Sequence, residues 1–174
     1  MGRIAILAIL VVCAIGGGAL YYLQVYYYYE ELAGDQVDNV QLTTLDTAES
    51  QNVMFENFKG IDSTSSPIRY RACFDLAEPL ADLATRFAGY PAAEPLVAPS
   101  WFDCFDADQI GADIAADAVE TYLSIGHVQY GIDRVIAVYP DGSAFAWHQI
   151  NHCGAAKFNG EPIPDDCPPP PEGQ

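Results

Sequence analysis

The sequence is poor in basic residues. It has seven Lys and Arg residues against 24 Asp and Glu residues, and its formal net charge is −17. One of the seven, Arg3, precedes the first apolar stretch. Proteins that bind nucleic acid neutralise phosphates with clustered Lys and Arg side chains, and no such cluster occurs here. We therefore exclude nucleic acid as a partner and interpret the acidity mainly as a solubility feature.

The usual catalytic motifs are also missing. There is no G-x-S-x-G nucleophile turn and no C-x-x-C pair, and Gly16, Gly17 and Gly18 lie inside the apolar stretch rather than in a phosphate-binding loop. Ser124 and His127 are close in sequence but have no third residue to orient them. The absence of a nucleotide-binding region excludes a kinase. We expect no cofactor and no enzymatic activity.

The sequence has one long apolar run, at its N-terminus. Residues 4–23 carry no charged side chain, and as a helix they would be ~30 Å long, the thickness of a bilayer core. Tyrosines follow where an aromatic belt would meet the membrane surface: Tyr21, Tyr22, Tyr26, Tyr27, Tyr28 and Tyr29. We predict a transmembrane anchor over residues 1–29, with residues 4–29 in contact with the lipid bilayer.

The charges that flank the anchor predict its orientation. Arg3 lies before it, and Glu30 and Glu31 follow it. The positive-inside rule then places the N-terminus in the cytoplasm and the domain in the periplasm, as in a single-pass protein of the bacterial inner membrane. The alternative is a signal peptide cleaved near Gly17 and Ala19, which would leave residues 20–29 as an exposed apolar tail.

Four cysteines lie outside the anchor, and Cys13 lies within it. Cys73, Cys104, Cys153 and Cys167 are an even number in a compartment where disulfides form, and they allow three pairings. We favour Cys73–Cys104 and Cys153–Cys167, because these close the shorter loops. The rival interpretation is a four-cysteine zinc site, which normally contains C-x-x-C pairs.

The rest of the chain predicts an α+β fold: a small, mostly antiparallel sheet with one or two packed helices. After a polar linker over residues 30–40, the domain covers residues 41–174 and ends in a proline-rich tail. We predict strands over 41–45, 53–58 and 68–74, a short helix over 80–87, and a helix capped by Asp106 or Asp108 that runs to Leu123. Trp101, Phe102 and Phe105 should pack over Cys104.

A β-hairpin is the clearest local prediction after the anchor. Residues 135–139 and 143–150 are rich in β-branched and aromatic residues, and Pro140-Asp141-Gly142 suits the turn between them. In that register Arg134 faces His148.

Two pairs of residues could bind a ligand. His148 and His152 could hold a metal ion if the chain were helical or bent there, but in a strand they would be ~13 Å apart and more simply structural. Arg69 and Arg71 share one face of a predicted strand. They could bind an anionic ligand or instead pair with carboxylates.

Four segments carry a resemblance: SSPIRYRACF (65–74), EPLVAPSWFDCFDA (94–107), YGIDRVIAV (130–138) and WHQINHCG (147–154). Together with the Tyr-rich anchor, they resemble an uncharacterised family of short alphaproteobacterial membrane proteins. The resemblance implies an inner-membrane protein with a periplasmic domain and brings no catalytic residue with it.

We therefore expect a non-enzymatic accessory or assembly factor of an inner-membrane complex, with another inner-membrane or periplasmic protein as its partner. The alternative is a periplasmic domain that binds a metal or an anionic ligand.

Overall fold

A computed structural model describes residues 2–34, 40–78 and 80–171. The helices are α1 (Gly2–Tyr22), α2 (Leu83–Arg86), α3 (Ala107–Ala115) and α4 (His152–Asn159), with a π-helical turn at Leu23–Tyr27 and a 3₁₀ turn at Leu80–Asp82. The strands are β1 (Glu30–Leu32), β2 (Gln41–Thr43), β3 (Ser50–Asn52), β4 (Phe55–Asp62), β5 (Arg71–Leu76), β6 (Glu120–Gln129), β7 (Ile132–Val138) and β8 (Ser143–Ile150).

The N-terminal helix is long and apolar enough to cross a membrane. It covers Gly2–Tyr27 with a mean hydropathy of 2.5, and none of it is buried against the domain. Within the described part of the chain it is the one helix that meets these requirements. Its length and composition agree with the predicted anchor, and a signal sequence would have the same properties.

Six strands form an antiparallel sheet in the order β1-β4-β5-β8-β7-β6, and β2 pairs with β3 in a separate ribbon. The sheet is covered on both faces. On one face Ala72 and Phe74 pack with Leu42 of the ribbon, Leu83 of α2 and Phe87, which follows α2. The predicted α+β class is therefore confirmed.

The opposite face of the sheet is covered by α3 and the segment before it. Cys73, Val135 and Trp147 pack there against Phe102, Phe105 and Ile110. Alternate residues of β5 thus point to different clusters. The strand predicted over 68–74 is confirmed from Arg71 onwards and continues to Leu76.

The predicted hairpin is confirmed. Strands β7 and β8 pair in the predicted register, with Arg134 directly opposite His148. The Gly142 backbone has a φ of +92°, the left-handed conformation that the turn requires.

Both favoured disulfides are present, Cys73–Cys104 and Cys153–Cys167. The aromatic residues near Cys104 pack over the first of them: Trp101, Phe102 and Phe105 belong to the same cluster as Cys73.

Several predictions need correction. The strand predicted over 53–58 is β4 (Phe55–Asp62), and the helix predicted over 80–87 is a 3₁₀ turn followed by α2. The linker over 30–40 begins instead with β1, in which Glu30 pairs with Asp62 and Leu32 with Gly60. Backbone pairing with a long neighbouring strand orders this short, charged segment. Residues 35–39 of that linker and residues 172–174 of the tail lie outside the described residues.

The helix predicted to reach Leu123 ends at Ala115. Asp106 caps it as expected, because its side chain accepts a hydrogen bond from the Gln109 N–H. Residues 120–129 form β6 instead. The β-branched and aromatic side chains of that segment pair with β7, which outweighs the helical spacing of Ala118 and Tyr122.

The strand considered for His148 and His152 ends at Ile150, and helix α4 follows it. Asn151 is its N-cap and accepts a hydrogen bond from Gly154 N–H at 3.0 Å, and Gly160 ends it in the left-handed conformation. His152 therefore lies on a helix, whereas His148 lies on β8.

Candidate functional site

The end of the anchor is attached to the domain by a hydrogen bond. Trp101 donates its indole N–H to the carbonyl oxygen of Val25 at 2.6 Å. The last carbonyl groups of a helix lack partners within the helix, and Val25 lies in its final turn. A side chain 76 residues away in sequence thus satisfies an acceptor of the anchor.

Aromatic contacts surround this hydrogen bond. The Trp101 ring stacks on Tyr26 at a centroid distance of 6.2 Å and meets the edge of Tyr29 at 5.8 Å. The Arg69 guanidinium lies 5.4 Å from the centre of the Tyr29 ring. We call Val25, Tyr26, Tyr29, Arg69 and Trp101 the anchor junction. The domain thus adds Trp101 to the tyrosine cluster at the end of the N-terminal helix.

The two arginines predicted to bind an anion have separate roles. Arg71 is buried, with 4% of its surface exposed, and donates to the carbonyl oxygens of Leu96 (2.6 Å), Tyr70 (2.6 Å), Ile68 (2.9 Å) and Val97 (3.1 Å). Burial lowers the pKa of Arg71 to about 10, so it stays charged at neutral pH.

Arg71 therefore fixes the proline-rich segment around residue 96 onto the sheet. Arg69 has a different position, because it donates to Ser65 Oγ at 3.3 Å and contacts the anchor junction. The ion pairs found among the described residues involve neither arginine. The structure therefore supports neither a two-arginine clamp nor the expected pairing with carboxylates.

His148 has both ring nitrogens engaged. Its Nδ1 lies 2.6 Å from the Pro67 carbonyl oxygen, and its Nε2 lies 3.0 Å from Arg134 Nε. A carbonyl only accepts and the Arg134 N–H only donates, so the hydrogen is on Nδ1 and the ring is neutral. Burial and the Arg134 charge lower the pKa of His148 to about 3. No ring nitrogen is left for a metal ion.

His152 belongs to a different group from His148. Its ring nitrogen and the sulfur atoms of Cys153 and Cys167 all lie within 4.8 Å of one another. The two sulfurs are joined in a disulfide, and in that form neither is the thiolate that zinc binds. The Nε2 atom of His152 lies 3.0 Å from Asp166 Oδ2.

A buried carboxylate that the sequence analysis missed lies at the foot of a cleft near α4. Asp133 Oδ1 accepts from the His127 N–H at 2.9 Å and from Asn151 Nδ2 at 2.8 Å, and its Oδ2 accepts from the Tyr90 hydroxyl at 3.0 Å. Burial and the neighbouring Asp133 charge raise the pKa of Tyr90. The signal in the sequence was a lone acidic residue in a strand whose other residues, apart from Arg134, are apolar.

The cleft has a volume of about 420 Å³ and is lined by Tyr90, Glu94, Asp133, Gln149, Asn151 and His152 among others. Gln149 accepts from the Glu94 N–H at 2.9 Å and donates to the Ala92 carbonyl at 2.8 Å. Most polar groups at the base of the cleft are thus used to hold the segment around residue 92 and α4 in place. No described lining residue is Lys or Arg.

These features define a class: an α+β domain that follows directly on an N-terminal helix able to span a membrane. The chain belongs to a family of unknown function (DUF6446), whose model matches residues 40–168. No curated protein and no solved structure matches the chain.

Proposed function

We propose that the protein is a non-enzymatic accessory or assembly factor of a bacterial inner-membrane complex. Its N-terminus is cytoplasmic, its single helix stays in the membrane, and its domain works in the periplasm. The observation that carries this proposal is the anchor junction, in which the Trp101 indole N–H is hydrogen-bonded to the Val25 carbonyl oxygen.

The junction supports a domain that is held rigidly to the N-terminal helix rather than joined to it by a flexible linker. The π-helical turn ends at Tyr27, and β1 begins three residues later at Glu30. Because β1 pairs with β4, the anchor leads into the sheet without a flexible spacer. A domain fixed at one height and angle above a bilayer suits contact with another membrane protein.

An uncleaved anchor is part of the proposal, because cleavage near Ala19 would leave residues 20–29 as an apolar tail. The residues that Trp101 contacts, Val25, Tyr26 and Tyr29, lie after Ala19 and are present in either form. The disulfides agree with an oxidising compartment. The charges on either side of the span, Arg3 before it and Glu30 after it, support an outward-facing domain.

The test is co-purification of the tagged full-length protein from native membranes in mild detergent, with mass spectrometry of the proteins that accompany it. We expect a second membrane protein to co-purify with the tagged protein in a stoichiometric amount. The control replaces residues 2–27 with an unrelated transmembrane helix of equal length, and it should lose or weaken the association. A wild-type protein that purifies alone would contradict the proposal.

Ligand binding is the second candidate, and the cleft is the observation that favours it. A volume of about 420 Å³ is large enough for a small molecule. The Glu94 and Asp133 carboxylates, with no described Lys or Arg in the lining, favour a cationic or neutral ligand over an anion. Thermal-shift measurements with arginine and citrate as oppositely charged probes would test this. A shift with arginine that Glu94→Gln abolishes supports binding, and no shift with either probe contradicts it.

A further inference from the structure

The two disulfides have different surroundings. Cys73–Cys104 lies in the apolar cluster of Phe102, Phe105 and Trp147. In the second disulfide, Cys153 Sγ lies 3.5 Å from His152 Nε2. The same nitrogen lies 3.0 Å from Asp166 Oδ2. A sulfur atom, an imidazole and a carboxylate therefore form a continuous chain of polar contacts.

This group is open to solvent at the histidine and the aspartate. The His152 and Asp166 side chains are 62% and 71% exposed. Cys167 is half-buried, whereas Cys153 is buried with 2% of its surface exposed. A thiol from solution can approach Cys167 Sγ more easily than Cys153 Sγ.

The position of Cys153 favours a thiolate. It is the second residue of α4, whose N-cap is Asn151. The N-terminus of a helix lowers the pKa of a cysteine there, because its unpaired N–H groups and dipole stabilise negative charge. A more stable thiolate is also a better leaving group in disulfide exchange.

We propose that Cys153–Cys167 is a thiol–disulfide exchange site whose partner is a dithiol, and that Cys73–Cys104 is structural. The thiolate of the dithiol attacks Cys167 Sγ and forms a mixed disulfide. The Cys153–Cys167 bond breaks, and Cys153 leaves as a thiolate. It takes up the proton that the attacking thiol lost, relayed through His152 Nε2.

The second thiol of the partner completes the exchange. Its thiolate attacks the partner sulfur of the mixed disulfide and releases Cys167 as a thiolate. Two electrons pass to the protein, which gains two thiols, and the dithiol is oxidised to a disulfide. Cys167 takes up the proton that the second partner thiol lost, and Asp166 positions His152.

Reduction changes how the tail is held. In residues 162–171 the structure shows two links to α4, the disulfide and the His152–Asp166 contact. The other described hydrogen bond of this segment is local, from Cys167 N–H to the Pro164 carbonyl. Opening the disulfide therefore leaves the exposed His152–Asp166 contact as the remaining described link from this segment to α4, while Cys73–Cys104 stays closed. This inference is independent of the accessory function.

The experiment uses the full-length protein in detergent micelles with Cys13, the one free cysteine found, replaced by Ala. Limiting dithiothreitol is added, thiols are alkylated at intervals, and mass spectrometry follows each disulfide. We expect Cys153–Cys167 to open about tenfold faster than Cys73–Cys104 or more. His152→Gln should slow the first reaction several-fold and leave the second unchanged.

Asp165→Asn is the matched control, since it removes the neighbouring exposed charge and should leave both rates unchanged. Equal rates for the two disulfides, or no effect of His152→Gln, would overturn the proposal. Glutathione, a monothiol, tests the direction of attack. The mixed disulfide should form on Cys167, and a product mainly on Cys153 would overturn the assignment of the leaving group.

Discussion

Gly131 and Gly154 bring the turn between β6 and β7 into backbone contact with α4. A Cβ atom built on Gly154 would lie 2.2 Å from the Gly131 carbonyl oxygen. The same oxygen accepts a hydrogen bond from the Asn151 N–H at 2.9 Å. This contact positions the first turn of α4 and with it His152 and Cys153.

Replacing Gly154 by Ala should destabilise the protein, although Ala normally favours a helix. The added methyl group forces two backbone segments apart, and overpacking of this kind costs about 1–3 kcal/mol. Gly126→Ala is the control, because its Cβ would meet only Leu123 Cδ2 at an ordinary 3.8 Å. Urea denaturation of the full chain in micelles measures both. Equal stabilities would contradict the close contact.

The carboxylate of Asp133 should be essential for stability. Its oxygens accept three hydrogen bonds, from Tyr90, His127 and Asn151. Asp133→Asn places an N–H₂ group against donors and should cost about 2 kcal/mol or more. Tyr90→Phe removes one of these bonds and should cost about 1 kcal/mol. The same denaturation measurement compares them, and a neutral Asp133→Asn would refute the buried network.

His148 should make stability depend on pH in a defined direction. Its folded pKa is about 3, below its usual value near 6.5, so the unfolded chain binds the proton more readily between these values. Stability should therefore be complete above about pH 6.5 and fall as the pH drops towards about 3, by up to about 1.4 kcal/mol per pH unit.

A His148→Gln variant tests this pH dependence. It should be less stable at pH 7, because the contacts with Pro67 and Arg134 are altered, and the contribution of His148 to the slope should disappear. His152→Gln removes an exposed histidine and should retain the slope. Equal slopes in wild type and His148→Gln would contradict the neutral, buried imidazole.

Loss of the Trp101 N–H should loosen the anchor junction. Trp101→Phe keeps an aromatic ring next to Tyr26 and removes the hydrogen bond to the Val25 carbonyl. Losing a hydrogen bond worth about 1 kcal/mol should raise the equilibrium constant for local opening about fivefold. Hydrogen exchange in lipid nanodiscs should become faster for peptides that cover residues 23–32. Tyr27→Phe, which leaves the Trp101 bond intact, should change little. Unchanged exchange in Trp101→Phe would mean that the bond does not restrain the anchor.

Local patterns in the sequence predicted much of the fold. The β7–β8 hairpin with Arg134 opposite His148 was predictable because β-branched residues and a Pro-Asp-Gly turn agree on one register. The Asp106 cap and both disulfide pairings were also predicted and are confirmed. In each case neighbouring residues, or the shortest loops between cysteines, contained the information.

Long-range pairing accounts for what was missed. The helical spacing of α3 continues through Ala118 and Tyr122, and only pairing with β7 makes residues 120–129 a strand. The roles of Arg71 and Trp101 depend on partners distant in sequence, the Leu96 carbonyl and the Val25 carbonyl. Carbonyl acceptors are present at every residue, so no sequence pattern identifies which one a side chain will reach.

The most direct measurement is the topology and mass of the full-length protein in bacterial cells. Protease added to spheroplasts should digest the domain, and intact-mass analysis of the membrane fraction should show that residues 2–27 remain attached. A soluble periplasmic form that begins near residue 20, or a domain protected from protease until the cells are lysed, would contradict an anchored, outward-facing accessory protein.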